Sequence, residues 1–105
     1  MSTGAVADLA GVEVGKVQQW LRDGLLVGRR APDGVVVPAQ FFSDDAAPVK
    51  GLPGVITLLR DARFSDEEII DWLFRVDESL PGTPIEALRA NRGKEVKRRA
   101  QVAGY

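Results

Sequence analysis

The feature that most constrains this chain is a glycine placed between two short amphipathic segments near its N-terminus. Gly11 separates residues 3–10 from residues 13–23. Glycine readily adopts the positive φ that a sharp turn between helices requires, and Ala7 is small enough for two helices to cross closely. Apolar residues recur in the second segment at the spacing of a buried helical stripe: Val14, Val17, Trp20 and Leu21. This pattern predicts a helix-turn-helix.

Two β-prone runs follow the second helix, at residues 25–27 and 35–37. The residues between them include Asp33-Gly34, a step that favours a tight hairpin turn. Gly24, directly after the second helix, is expected to cap its C-terminus. A hairpin in this place is the wing of a winged helix-turn-helix, and we expect the DNA-binding domain to occupy residues 1–45.

The rest of the chain is predicted to be helical. A short helical turn at residues 39–42 precedes a loop or linker at residues 43–54, which is rich in Asp, Ala, Pro and Gly. Caps and helix-start residues predict three or four further helices: from Pro53, from Ser65 to Val76, from Thr83, and from Lys94 to Ala103. The predicted fold is mainly α with a small β-hairpin: a winged helix-turn-helix with a helical C-terminal domain, residues 46–105, packed on it.

The composition argues against catalysis. The chain has no cysteine and no histidine, which excludes disulfides, thiolate metal sites and imidazole chemistry. Glu67 and Asp71 lie one helical turn apart, but acids near the start of a helix are expected from the helix dipole alone. We therefore expect no enzyme activity, no metal, no cofactor and no small-molecule substrate. With no secretory signal and no long apolar run, the chain is expected to be cytoplasmic and nucleoid-associated, without a membrane contact.

The charge is distributed unevenly. The net charge is −1, from 14 basic and 15 acidic residues, whereas nucleic-acid-binding domains are usually basic overall. The basic residues are concentrated in residues 16–30 and 89–99. Two basic patches on a nearly neutral protein can still bind a polyanion, although the electrostatic contribution is modest.

The polar face of the second helix is the predicted DNA-reading surface. Gln18 and Gln19 are expected to read base edges, because glutamine can make a bidentate contact with adenine. Phosphate contacts are predicted for the cations of this helix and of the wing: Lys16, Arg22, Arg29 and Arg30. Additional nucleic-acid contacts are predicted for three cations of the last helix: Lys94, Lys97 and Arg98. The competing interpretation is that these side chains only form solvated helix faces, or complement a helix dipole.

A family resemblance supports the first interpretation. Gly11-Val12 and residues 20–26, Trp-Leu-Arg-Asp-Gly-Leu-Leu, resemble the DNA-binding half of MerR-type and excisionase-type winged helices. The whole chain resembles more closely a family of small actinobacterial winged-helix DNA-binding proteins, one mycobacterial member of which is a substrate of a membrane Ser/Thr protein kinase. The resemblance implies DNA binding that is tuned by a kinase, through phosphorylation of an N-terminal tail. We expect the partner to be double-stranded DNA and the role to be transcription regulation. Here that tail is expected to be short, with Ser2 and Thr3 as its hydroxyl residues.

Two other interpretations remain open. Residues 72–73 and 80–88 are similar to the toxin-binding domain of Xre/ParS-type antitoxins, which would make the chain an antitoxin-like or adaptor module that binds a protein partner through its C-terminal helices. The excisionase resemblance also allows an architectural factor that bends DNA. No long dimerisation helix follows the wing, so a MerR-type effector-sensing dimer is not expected.

Overall fold

Two short helices that meet at Gly11 begin the chain, as the glycine turn predicts. The computed structural model describes residues 1–80 and 82–103, which contain helices and one antiparallel hairpin. In chain order these are α1 (Thr3–Ala10), α2 (Val14–Asp23), β1 (Arg29–Ala31), β2 (Gly34–Val36), a 3-10 turn (Ala39–Phe41), α3 (Leu52–Asp61), α4 (Asp66–Phe74), α5 (Pro84–Arg89) and α6 (Gly93–Val102). The predicted fold class, a winged helix-turn-helix followed by helices, is confirmed.

The turn between α1 and α2 has the predicted mechanism. Gly11 has φ 69°, and its N–H donates to the Ala7 carbonyl. Gly24 likewise ends α2 with φ 78°. At the other end of α1, the Ser2 hydroxyl accepts from Ala5 N at 3.1 Å, and Thr3 is the first helical residue. The two hydroxyl residues expected in a tail therefore form the start of α1.

One residue of the predicted buried stripe is not buried. Val17 is fully buried, and Trp20 and Leu21 are half-buried against the core. Val14 is 41% exposed. Helical spacing alone places Val14 on the side of Leu21, but a helical face is buried only where another element covers it, and the first turn of α2 is left uncovered.

The wing is a hairpin, but its strands are not the ones predicted. The ladder pairs Arg29 with Val36, Arg30 with Val35 and Ala31 with Gly34. Residues 25–27 are not a strand; Leu26 and Val27 are instead fully buried core residues in the segment between α2 and the wing. The hairpin begins only after Gly28, where a Cβ atom would collide with the Val35 side chain.

The helical part differs from the prediction at one boundary. Ser65 and Thr83 both form capping boxes at the starts of α4 and α5, as predicted. However, α4 ends at Phe74, and Val76 is 72% exposed in the segment that follows. The Asp77 side chain accepts from the Ser79 amide at 2.9 Å, and this local turn replaces a further helical turn.

The winged part and the helical part share one hydrophobic core. Val6, Val17 and Leu26 belong to the same cluster of buried residues as Leu59 and Leu73. Phe41, in the 3-10 turn, is fully buried, and its ring centroid lies 6.0 Å from that of Phe74 in α4. The C-terminal helices therefore pack directly on the winged helix-turn-helix. None of the described helices combines the length and apolar composition needed to cross a bilayer.

Candidate nucleic-acid interface

The polar face of α2 is open to solvent. Its four predicted contact residues are all exposed: Lys16, Gln18, Gln19 and Arg22. Within the described part of the chain, none of them has a side-chain hydrogen bond or an ion pair to another residue. Side chains that are free and exposed on a helix are available to a ligand without first losing an internal contact.

The centre of this face is a ridge of three residues. Gly15, Gln19 and Arg22 are separated by four and three positions, so they share one side of α2, opposite the buried Val17. A Cβ atom at Gly15 would meet nothing within 4 Å. The start of the ridge is therefore bare backbone, which another molecule can approach closely.

The carboxyl end of α2 is held by the C-terminal part of the molecule. The Arg60 guanidinium, in the last turn of α3, donates to the Leu21 carbonyl at 3.4 Å and to Asp66 at 3.1 Å. A cation at the C-terminus of a helix satisfies free carbonyls and complements the helix dipole. Arg60 thereby connects the carboxyl end of α2 to α3 and α4, a contact that no local sequence pattern signals.

The two wing arginines lie in β1, not in the loop between strands where the sequence prediction placed them. Successive residues of a strand face opposite sides, so Arg29 and Arg30 cannot share a face of the ribbon. Arg29 forms a 3.0 Å ion pair with Asp71 of α4, in which the two side chains are 49% and 57% exposed. Arg30 is exposed and, among the described residues, has no such partner.

The basic residues near the C-terminus fall into two groups. Arg89, Arg92 and Arg99 have internal partners: Arg99 donates to the Ser79 hydroxyl at 2.7 Å, and Arg92 pairs with Glu95 at 3.0 Å. The predicted contact residues Lys94, Lys97 and Arg98 are instead exposed on α6, without an ion pair to any described side chain. This second group is available to an outside partner without first losing an ion pair.

Arg89 joins the two halves of the molecule. Its guanidinium donates to the backbone carbonyls of Gln40 and Phe42, at 2.9 and 2.5 Å. We expect Arg89→Ala to lower the free energy of unfolding by about 1–3 kcal/mol, because two carbonyls lose a charged donor. Urea denaturation measures this. The control Arg92→Ala, which removes an exposed ion pair, should cost less than about 1 kcal/mol, and equal losses would contradict this role of Arg89.

Three carboxylates have pKa values below their usual range, and each has a structural reason. Hydrogen bonds from the Ser79 hydroxyl and amide hold the pKa of Asp77 below its usual value. The Ser65 amide does the same for the pKa of Glu68, and the Ser43 hydroxyl for that of Asp45. In each case the partner is a serine within three residues, so these shifts belong to turns and helix caps.

The segment with antitoxin similarity contributes its apolar side chains to the core. Leu73, Leu80, Ile85 and Leu88 are all buried. Trp72 is half-buried against the same core, as is Trp20. Pro81, which belongs to this segment, lies outside the described residues.

Comparison with known proteins places this geometry in a family. The family model described as "DNA-binding protein Rv2175c, wHTH domain" matches residues 1–42. A second family model, "Rv2175c C-terminal domain of unknown function", matches residues 49–104. The DNA-binding protein Rv2175c of Mycobacterium tuberculosis is 45% identical over 112 residues, which cover 95% of this chain and 77% of that protein. The chain belongs to the Rv2175c family.

The fold agrees with this assignment. The NMR structure of Rv2175c superposes with a TM-score of 0.90 at 42% identity, covering 99% of this chain and 80% of the other. The resemblance to a small mycobacterial winged-helix family is thereby confirmed. The C-terminal domain of the Rv2175c family is described as one of unknown function. The exposed cations of α6 belong to this domain.

Proposed function

We propose that this chain binds double-stranded DNA with sequence preference, acts as a transcriptional regulator, and works at the nucleoid. The observation that carries the proposal is the polar face of α2, whose four predicted contact residues are exposed and have no side-chain partner among the described residues. Membership of a family named for a DNA-binding protein supports it. An α-helix with its side chains is about 10–12 Å in diameter, and the major groove is about 12 Å wide, so α2 can lie in it.

Each residue then has a defined part. Gln19, at the centre of the ridge, reads a base edge, and Gln18 on its flank reads a neighbouring one. Lys16 and Arg22, near the two ends of α2, bind phosphates and fix the register of the helix on the duplex. The bare backbone at Gly15 lets α2 approach the groove floor.

The wing binds the DNA backbone beside α2. Arg30 is free to do so, whereas Arg29 must exchange Asp71 for a phosphate. That exchange costs little free energy, because both side chains of the pair are about half exposed and exposed ion pairs contribute little to stability. With about four phosphate contacts and a net charge of −1, a single copy binds weakly, and its log affinity falls against log salt with a slope of about −3.6. A functional site on DNA therefore requires two copies or a partner.

The reading role of Gln19 gives a specific test. We expect Gln19→Ala to relax base preference at one position of the selected site by about 1–3 kcal/mol, which is roughly five- to 150-fold in discrimination. Selection from a random duplex library measures the preference. Gln40→Ala, an exposed glutamine outside α2, is the matched control. If Gln19→Ala selects the same site with the same stringency as Gln40→Ala, the assignment of Gln19 is wrong.

A further inference from the structure

A basic groove lies in the C-terminal domain, between the N-terminal ends of α3 and α6. Its volume is about 600 Å³. We call it the α3–α6 groove, and the residues used below are Lys50, Gly51, Gly54, Arg92, Lys94 and Lys97. The sequence prediction found the α6 part of this surface but not Lys50, which lies in the segment taken as a linker.

The charges of the groove are predominantly positive and free. Lys50, Lys94 and Lys97 are exposed and, among the described residues, have no ion pair. The one acid of the lining, Glu95, is paired with Arg92 at 3.0 Å. Arg98 extends the same surface along α6, in a shallow depression that it shares with Lys94 and Lys97. A cluster of unpaired cations on a protein of net charge −1 attracts a polyanion locally.

Glycine backbone forms part of the groove lining, at Gly51, Gly54 and Gly93. A Cβ atom at Gly54 would meet no atom within 4 Å. Neither α3 nor α6 has a side-chain cap, whereas α4 and α5 have capping boxes. In α3 the Leu52 amide donates to the Val49 carbonyl and Pro53 has no N–H, so the free first-turn amides lie mainly in α6, where they add to the attraction that the lysines exert on an anion.

Helix α3 connects the groove to α2. The first turn of α3 lines the groove, and Arg60 in its last turn donates to the Leu21 carbonyl of α2. The two surfaces are therefore separated by about the length of α3, roughly 15 Å for ten residues. The whole molecule is 37 Å in its longest dimension, close to one turn of B-DNA at about 34 Å.

We propose that the α3–α6 groove is a second binding surface for the sugar-phosphate backbone of duplex DNA, an inference that rests on the proposed function. Charge complementarity identifies the occupant. A protein partner would need apolar or aromatic anchors at the centre of its site, and this groove offers glycines and lysines instead. The C-terminal domain then adds affinity without reading sequence, because phosphate contacts are the same for every base pair.

The test compares variants of equal charge. Lys94→Gln with Lys97→Gln removes two groove cations, and Arg63→Gln with Arg75→Gln removes two exposed cations outside it. Each phosphate contact contributes about 0.9 to the slope of log affinity against log salt concentration. At 0.1 M salt this corresponds to about an eightfold contribution to the affinity. We expect the groove variant to lower the slope by about 1.8 and the affinity roughly 60-fold, and the control to bind duplex DNA as the unaltered chain does.

The outcomes separate this inference from the proposed function. If the groove variant binds duplex DNA like its control while Lys16→Gln with Arg22→Gln loses affinity, the groove assignment is wrong and the proposed function stands. If the groove variant loses affinity and the α2 variant does not, the groove binds DNA and the proposed function fails. If the groove variant loses binding to polyglutamate but not to DNA, the groove is a site for an acidic protein, which overturns the inference.

Discussion

Neutralising the four cations of α2 and the wing is expected to abolish most of the affinity for duplex DNA while the protein stays folded. The variant combines Lys16→Gln, Arg22→Gln, Arg29→Gln and Arg30→Gln. At 0.1 M salt the loss should be roughly four thousandfold, because each phosphate contact contributes about eightfold to the affinity. All four side chains are exposed, and only Arg29 has an ion pair among the described residues. Fluorescence anisotropy with a labelled duplex measures the affinity, and circular dichroism checks the fold.

Two pairs within this set distinguish the helix from the wing. Lys16→Gln with Arg22→Gln should lose more affinity than Arg29→Gln with Arg30→Gln, because Arg29 is partly committed to Asp71. Arg63→Gln with Arg75→Gln changes the net charge by the same amount at exposed positions outside the predicted interface. If this control loses as much affinity as the α2 pair, binding depends on overall charge and not on the polar face of α2.

Removing the ring that joins the two halves is expected to destabilise both together. Phe41 is fully buried and packs on Phe74. Phe41→Ala should lower the free energy of unfolding by about 3–5 kcal/mol through lost burial and an unfilled cavity. This is a large fraction of the 5–15 kcal/mol typical of whole domains. Phe41→Leu, which retains most of the volume, should cost about 1–2 kcal/mol.

The two tryptophans allow the unfolding of each half to be followed separately. Trp20 lies in α2 and Trp72 in α4, so Trp20→Phe and Trp72→Phe each leave one fluorescent reporter. Urea transitions followed by the two reporters should coincide, and Phe41→Leu should shift both by the same amount. A shift confined to one reporter would show that the winged part and the helical part unfold independently.

Local chemistry made much of the fold predictable from the sequence. Gly11 and Gly24 end helices with positive φ, and Ser65 and Thr83 begin them with capping boxes. Each of these features depends on residues within four positions of one another. Residue type and spacing are sufficient to predict such contacts.

Long-range packing determined the rest, and the sequence prediction missed it. Leu26 and Val27 are β-prone, yet the core buries them outside any strand, which moves the hairpin toward Arg29. Arg89 resembles a free cation in the sequence, but its acceptors are carbonyls 47 and 49 residues away. Lys50 joins the cations of α6 only because α3 packs on α6. Such partners are set by tertiary structure and leave no periodic signal in the sequence.

An NMR titration with duplex DNA would test most directly whether α2 binds the major groove. Amide resonances of residues 15–22 should shift first and furthest, followed by those of residues 29–31 in the wing. Residues 50–54 and 93–98 should shift as well if the α3–α6 groove contacts the backbone. A titration in which residues 15–22 keep their resonances while others shift would contradict DNA reading by α2.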